Sequence, residues 1–175
     1  MSETHCRRNT TKFNPTKKNT PNYFMSKAVK EALKGTKNRD GGPFGCVIVK
    51  NNVIISLGHN TVLSSKIPVN HAEINAIKKA SKKLDSFDLS GCELYSTTEP
   101  CPMCFSAIHW ARIKTIYFGT TINDVKKLGF NELSIPARIM KKIGSSPVKI
   151  ISEFSIKECR ALLKKWKELP GKKIY

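Results

Sequence analysis

Two β-rich runs, FGCVIVK (44–50) and VIISLG (53–58), are separated only by Asn51-Asn52. Asparagine tolerates the left-handed backbone that a two-residue turn demands, so this spacing predicts a tight antiparallel hairpin. The segments around it alternate in type. Upstream, Phe24, Met25, Ala28, Val29, Ala32 and Leu33 recur at helical spacing, with Asn22 as the expected cap and Gly35 as the expected stop. Downstream, a polar loop leads to a helix of about a dozen residues from Asn70, with Ile74, Ile77 and Ala80 on one face. CELYSTT (92–98) reads as a third strand, and Pro102 suits the first turn of a helix running to about Arg112. IKTIYFG (113–119) is a fourth strand, followed by a short helix near 122–129 that ends at Gly129. VKIISEF (148–154) is a fifth strand, and Ser155 opens a last helix through Leu169. A hairpin followed by alternating helices and strands implies a mixed five-stranded sheet with helices on both faces. The expected fold is a single three-layer α/β/α domain over residues 22–175. Residues 1–21 are polar, basic and aperiodic with Pro15 and Pro21, and read as a flexible tail.

Composition narrows the class. With 175 residues, 39% hydrophobic and 25% charged, the chain suits one soluble domain with a real core. No apolar run approaches the ~18 residues of a membrane span, and the N-terminus lacks the apolar stretch of a secretory signal. The expectation is a cytoplasmic protein with no membrane partner. Six cysteines at irregular spacing then read as thiols in a reducing compartment, with Cys6, Cys46, Cys92 and Cys159 as ordinary buried or tail thiols. The formal net charge of +18 could be an electrostatic footprint for nucleic acid. However, the basic residues are mostly Lys spread along the whole chain, without the Arg and aromatic clustering of phosphate-binding surfaces, and this favours a compositional origin.

Cys101 and Cys104, in EPCPMC (99–104), could be a redox pair, half of a structural zinc site, or ligands of a catalytic metal. A redox C-x-x-C normally opens a helix after the first strand of a βαβ pattern, whereas this one follows a hairpin, a helix and a third strand. A four-cysteine structural zinc would need a second C-x-x-C, and a zinc finger would need two closely spaced histidines downstream, where His109 stands alone. A catalytic zinc needs three protein ligands and an open fourth corner for water. His71, in NHAEINAI (70–77), is the candidate third ligand, at the start of one predicted helix as the cysteines are at the start of another. Both helix N-termini would favour thiolates, and two thiolates with a neutral imidazole leave a zinc site neutral overall. Glu73, two residues from His71, is placed to act as a proton shuttle without being a ligand.

HAE followed by EPCPMC resembles the H-x-E…P-C-x-x-C signature of the zinc-dependent cytidine deaminase superfamily. GGPFGCVIVKNN, GHNTVLSS, LSGCELYSTTEPCPMCFSAIHWARI and the terminal KKWKELPGKKIY look most like the bacterial guanine deaminases within it. The resemblance implies a cytidine deaminase-like fold holding one zinc per chain on His71, Cys101 and Cys104, with water as fourth ligand. It implies Glu73 as the catalytic acid/base, Asn60 as a contact to the purine, Phe44 as a pocket aromatic and Tyr175 as a terminal lid. Glu132, in GFNEL, stands where that branch carries an acid reading the purine's amino edge. The segment LSIPARIMKKIGSSPVKI departs from the branch pattern. Trp110 and His109 are expected to be packing or subunit-interface residues.

The implied activity is hydrolysis of guanine to xanthine and ammonia, by a homodimer that could exchange its C-terminal segments. The competing readings are a tRNA-specific adenosine deaminase, favoured by the charge, and a deaminase of free nucleosides such as guanosine or cytidine. A third class is a non-catalytic zinc-stabilised binding module, which would be expected to lack Glu73 or to close the metal with a fourth protein ligand. A small purine is the expected substrate, and tRNA the weaker alternative, because a terminal tyrosine lid would close a small pocket while an anticodon loop needs an open approach.

Overall fold

The computed structural model describes residues 19–175. Most of the expected tail, residues 1–18, lies outside the described residues. The elements follow as α1 (Pro21–Lys37), β1 (Gly45–Lys50), β2 (Val53–His59), α2 (Val62–Ser65), α3 (Ala72–Leu84) and β3 (Cys92–Thr98). Then come α4 (Pro102–Trp110), β4 (Thr115–Thr120), α5 (Ile122–Lys126), α6 (Ala137–Ile143), β5 (Lys149–Ile151) and α7 (Ile156–Glu168).

The hairpin forms as its turn chemistry requires. Asn51 and Asn52 adopt φ of 49° and 64°, and the strands pair from Gly45 with His59 to Lys50 with Val53. The sheet order is β2-β1-β3-β4-β5. β1 lies antiparallel to both β2 and β3, while β3, β4 and β5 run parallel. This is the mixed five-stranded α/β sheet expected from the alternation.

Side chains alternate across a strand, so β1 feeds both cores. Val47 and Val49 join Tyr95 under Phe24, Met25 and Ala28 of α1 and Cys159 of α7. Cys46 and Ile48 join Leu94, Ile116 and Phe118 under Ala72 and Ala76 of α3 and Phe105 and Ile108 of α4. Burial on both faces explains why GCVIVK reads as a nearly continuous apolar run. Cys46, Cys92 and Cys159 are buried free thiols, as expected.

Several boundaries differ from expectation. Thr20, not Asn22, caps α1, its side chain accepting the Tyr23 N–H at 3.3 Å. Proline needs no N–H at the first helical position, so the helix begins at Pro21. Gly35 does not stop α1; a Cβ there would lie 2.6 Å from the His59 ring, so the glycine serves a close approach between helix and strand. β5 covers three residues where seven were expected, and α2 and α6, of four and seven residues, were not anticipated. Helices that short give no readable 3.6-residue period. No helix among the described residues is long and apolar enough to cross a membrane.

Candidate active site

The parallel strands β3 and β4 deliver their C-terminal ends to one edge of the sheet, where ligand sites of α/β folds collect. Cys101 follows β3 and is the N-cap of α4; His71 is the N-cap of α3. Both have extended backbones, with φ/ψ of −68°/163° and −64°/168°, and neither side chain caps its own helix. They turn towards each other instead. His71 Nδ1 lies 3.7 Å from Cys101 Sγ and 3.7 Å from Cys104 Sγ. The three ligand atoms all lie within 4.8 Å of one another.

These separations fit zinc. Zn–S bonds of about 2.3 Å and Zn–N bonds of about 2.0 Å at tetrahedral angles put sulfur and nitrogen about 3.5 Å apart. The titration chemistry agrees with a ligand cluster. Hydrogen bonding to the Cys104 thiol, aided by His71, holds the Cys101 thiol down to about 4 against the opposing effect of burial. Cys104, hydrogen-bonded to that thiolate and buried, is pushed well above the ordinary thiol range. Two thiols one turn apart at a helix N-terminus thus share one readily lost proton, and a cation between them favours loss of the second.

Glu73 lies in the first turn of α3 and is buried. Ser96, on β3, donates to Glu73 Oε1 at 2.9 Å, while the Cys104 thiol donates to Oε2 at 3.5 Å. Burial, with the negative charge of Cys101, raises the carboxyl above the ordinary range. One oxygen is therefore fixed by the sheet, and the other faces the cysteines.

A small cavity opens beside this group. Its lining includes Phe44, Asn60, Glu99, Ile122 and Glu132 along with His71, Glu73 and Cys101. Asn60 is 1% exposed; its Oδ1 accepts the Val62 N–H at 3.1 Å, but its Nδ2 has no hydrogen-bond partner. An orphaned buried amide costs free energy unless a ligand satisfies it. Gly41 permits this placement, since a Cβ there would collide with the Asn60 side chain. Glu132 is half-buried, and burial together with the Cys101 charge pushes its carboxyl up to about 7. Phe44 meets Phe130 edge-on at 5.1 Å between ring centroids.

Tyr175 does not line the cavity. Its hydroxyl accepts the Gly42 N–H at 3.0 Å, and its ring meets Phe130 edge-on at 5.6 Å. Both contacts are made within one chain. Trp110 is 79% exposed and so does not pack within its chain, whereas His109 Nδ1 lies 2.9 Å from Ser146 Oγ. Sequence reasoning assigned no role to Ser96 or Glu99. A polar residue in the buried part of a strand was the available signal for Ser96.

Two cysteines and a histidine converging beside a buried glutamate suit one class, the zinc-dependent hydrolytic deaminases. The chain belongs to it: residues 18–120 match the cytidine and deoxycytidylate deaminase zinc-binding region. A guanine deaminase of Bacillus subtilis (strain 168) is 38% identical over 152 residues, covering 87% of this chain and 97% of the relative. A solved guanine deaminase from Nitrosomonas europaea superposes with a TM-score of 0.79 at 27% identity, over 86% of each chain. A tRNA-specific adenosine deaminase of Aquifex aeolicus (strain VF5) is 44% identical over a shorter stretch, 96 residues, covering 55% of this chain and 63% of the relative.

Proposed function

We propose that the protein hydrolyses guanine to xanthine and ammonia, with one zinc per chain held by His71, Cys101 and Cys104. The observation that carries this reading is the small cavity lined by the unsatisfied Asn60 amide and the Glu132 carboxyl together with His71 and Cys101. A zinc held by these three side chains would supply the Lewis acidity that brings a water's proton loss near neutral pH. Glu73 Oε2 takes that proton, because Oε1 is held by Ser96. The same carboxyl gives that proton to the ring nitrogen beside the carbon under attack, then takes the proton of the newly added hydroxyl and passes it to the amino group, which leaves as ammonia as the carbonyl forms. Asn60 Nδ2 donates to a ring acceptor, Glu132 accepts from the purine's amino edge, and Phe44 packs on the ring face. Tyr175 covers the pocket and excludes water.

The tRNA reading is favoured by a basic groove next to the lid, lined by Lys37, Arg39, Lys172 and Lys173. Against it, the metal-side cavity is lined by three carboxylates and by no Lys or Arg. Among the described residues only Arg112 of the Lys and Arg side chains is paired with a carboxylate, Asp88 at 2.6 Å, as suits a dispersed, solvated charge. The contacts that Tyr175 makes with Gly42 and Phe130 support a lid over a small pocket, which disfavours a macromolecular substrate. A homodimer is supported by the apolar surface that Trp110 and Ile143 expose, and exchange of the segment after Glu168 between subunits would transfer Tyr175 to the partner's pocket. The reducing-compartment thiols and the purine substrate suit a cytoplasmic enzyme.

The test is ammonia release by purified, zinc-loaded protein from guanine, guanosine, adenine, cytosine and cytidine, with inosine formation in tRNA assayed alongside. Guanine should be the preferred substrate. Turnover of tRNA with none of guanine would replace this reading with the second.

A further inference from the structure

Glu99 takes no part in the proton transfers above, yet its carboxylate is buried beside the pocket, 8% exposed. Its backbone N–H donates to Thr120 O at 2.8 Å, which fixes it to the end of β4. Its two oxygens then reach two separate helices. Oε2 accepts the N–H of Ile122 at 3.1 Å, and Oε1 accepts the N–H of Ala137 at 2.9 Å. These are the first residues of α5 and α6. First-turn amides have no partner within their own helix, so each needs an external acceptor when buried. One ionised carboxylate satisfies both, and charge-assisted bonds of this kind are about twice as strong as neutral ones.

The consequence lies between the two helices. The chain from α5 to α6 carries Phe130 and Glu132, and its residues Leu133 and Ile135 are exposed. Phe130 touches Phe44, Trp166 and Tyr175, with ring centroids 5.1, 4.9 and 5.6 Å away. Glu99 is also two residues from Cys101. The same short stretch therefore anchors the metal-binding turn and both ends of the pocket wall. Resting on the reading of the cavity as a purine site, we infer that Glu99 is a positioning residue that sets substrate affinity by holding the 122–137 segment in register with the metal centre.

Glu99→Gln keeps the size but leaves one acceptor, so one of the two amides faces an NH₂ group. The zinc-loaded variant should show a KM for guanine raised about tenfold or more, the scale of losing one charge-assisted hydrogen bond, with kcat changed by less than about threefold. Metal content should stay at the wild-type value, and hydrogen–deuterium exchange should quicken within residues 122–137 and not in α3. Glu99→Asp keeps the charge but not the reach to both amides, and should fall between the two in KM. It also serves the same test if Glu99→Gln does not fold. Faster exchange in 122–137 with an unchanged KM would make Glu99 a structural brace only, and overturn the inference. A lowered kcat at constant KM would place Glu99 in the chemistry and overturn it equally. If the wild type does not turn over guanine at all, the functional reading fails separately; unchanged exchange in 122–137 would then still overturn the holding role, and faster exchange would uphold it.

Discussion

Removing the terminal tyrosine should cost activity in two separable parts. The Tyr175 hydroxyl is the acceptor for the Gly42 N–H at 3.0 Å, and its loss leaves a buried backbone donor unmet, worth about 1–2 kcal/mol. The ring's edge contact with Phe130, at 5.6 Å, contributes about 1 kcal/mol more. At about 1.4 kcal/mol per factor of ten, Tyr175→Phe should lower kcat/KM on guanine by about tenfold, and Tyr175→Ala by about 10². Deleting 171–175 should match or exceed the alanine variant. Steady-state xanthine formation reports the rate, while circular dichroism and zinc content show that fold and metal are retained. Mixing the truncated chain with Glu73→Ala separates two geometries. Partial recovery means that one subunit's lid serves its partner; no recovery means that the lid stays on its own chain, as in the contacts described above. Wild-type kcat/KM in the truncated protein would refute the lid altogether, and with it the argument against a macromolecular substrate.

The remaining expectations concern the metal and its neighbours. The protein should carry about one zinc per chain by elemental analysis, and Cys104→Ala should lose metal, activity and thermal stability together, because metal affinity is folding free energy at such a site. Full activity after complete chelation would contradict this. Ser96→Ala removes the hydroxyl that fixes Glu73 Oε1 at 2.9 Å and should lower kcat about tenfold, the worth of one hydrogen bond to a charged group, without loss of zinc; an unchanged kcat would leave Glu73 positioned by its own helix.

What was legible in the sequence was local. Asn51-Asn52 declares its turn because two consecutive positive-φ residues leave few choices, and Pro102 marks the first turn of α4 because proline fits there at no cost. The candidate metal-binding residues His71, Cys101 and Cys104 were legible from residue types, but their convergence depends on α3 and α4 both starting at one edge of the sheet. The errors were also physical in kind. Gly35 looked like a helix stop, yet its role is set by the His59 ring across a helix–strand contact that no local pattern reports. Ser96 and Glu99 act through partners 23 or more residues away, and so stayed silent until the strands were aligned. Phe44, Asn60, Glu132 and Tyr175 were named through resemblance to a family; the structure gathers the first three around one cavity and holds the fourth against Gly42 and Phe130.

The central claim is that a buried carboxylate beside a zinc centre moves the protons of a purine hydrolysis. Its most direct test is ammonia release from guanine by Glu73→Ala, purified with its zinc content measured. Zinc should remain at the wild-type level, since Glu73 is no ligand, and turnover should fall by at least about 10²–10⁴-fold, the range of a single acid/base role. A zinc-loaded Glu73→Ala protein that deaminates guanine at near the wild-type rate would contradict the claim.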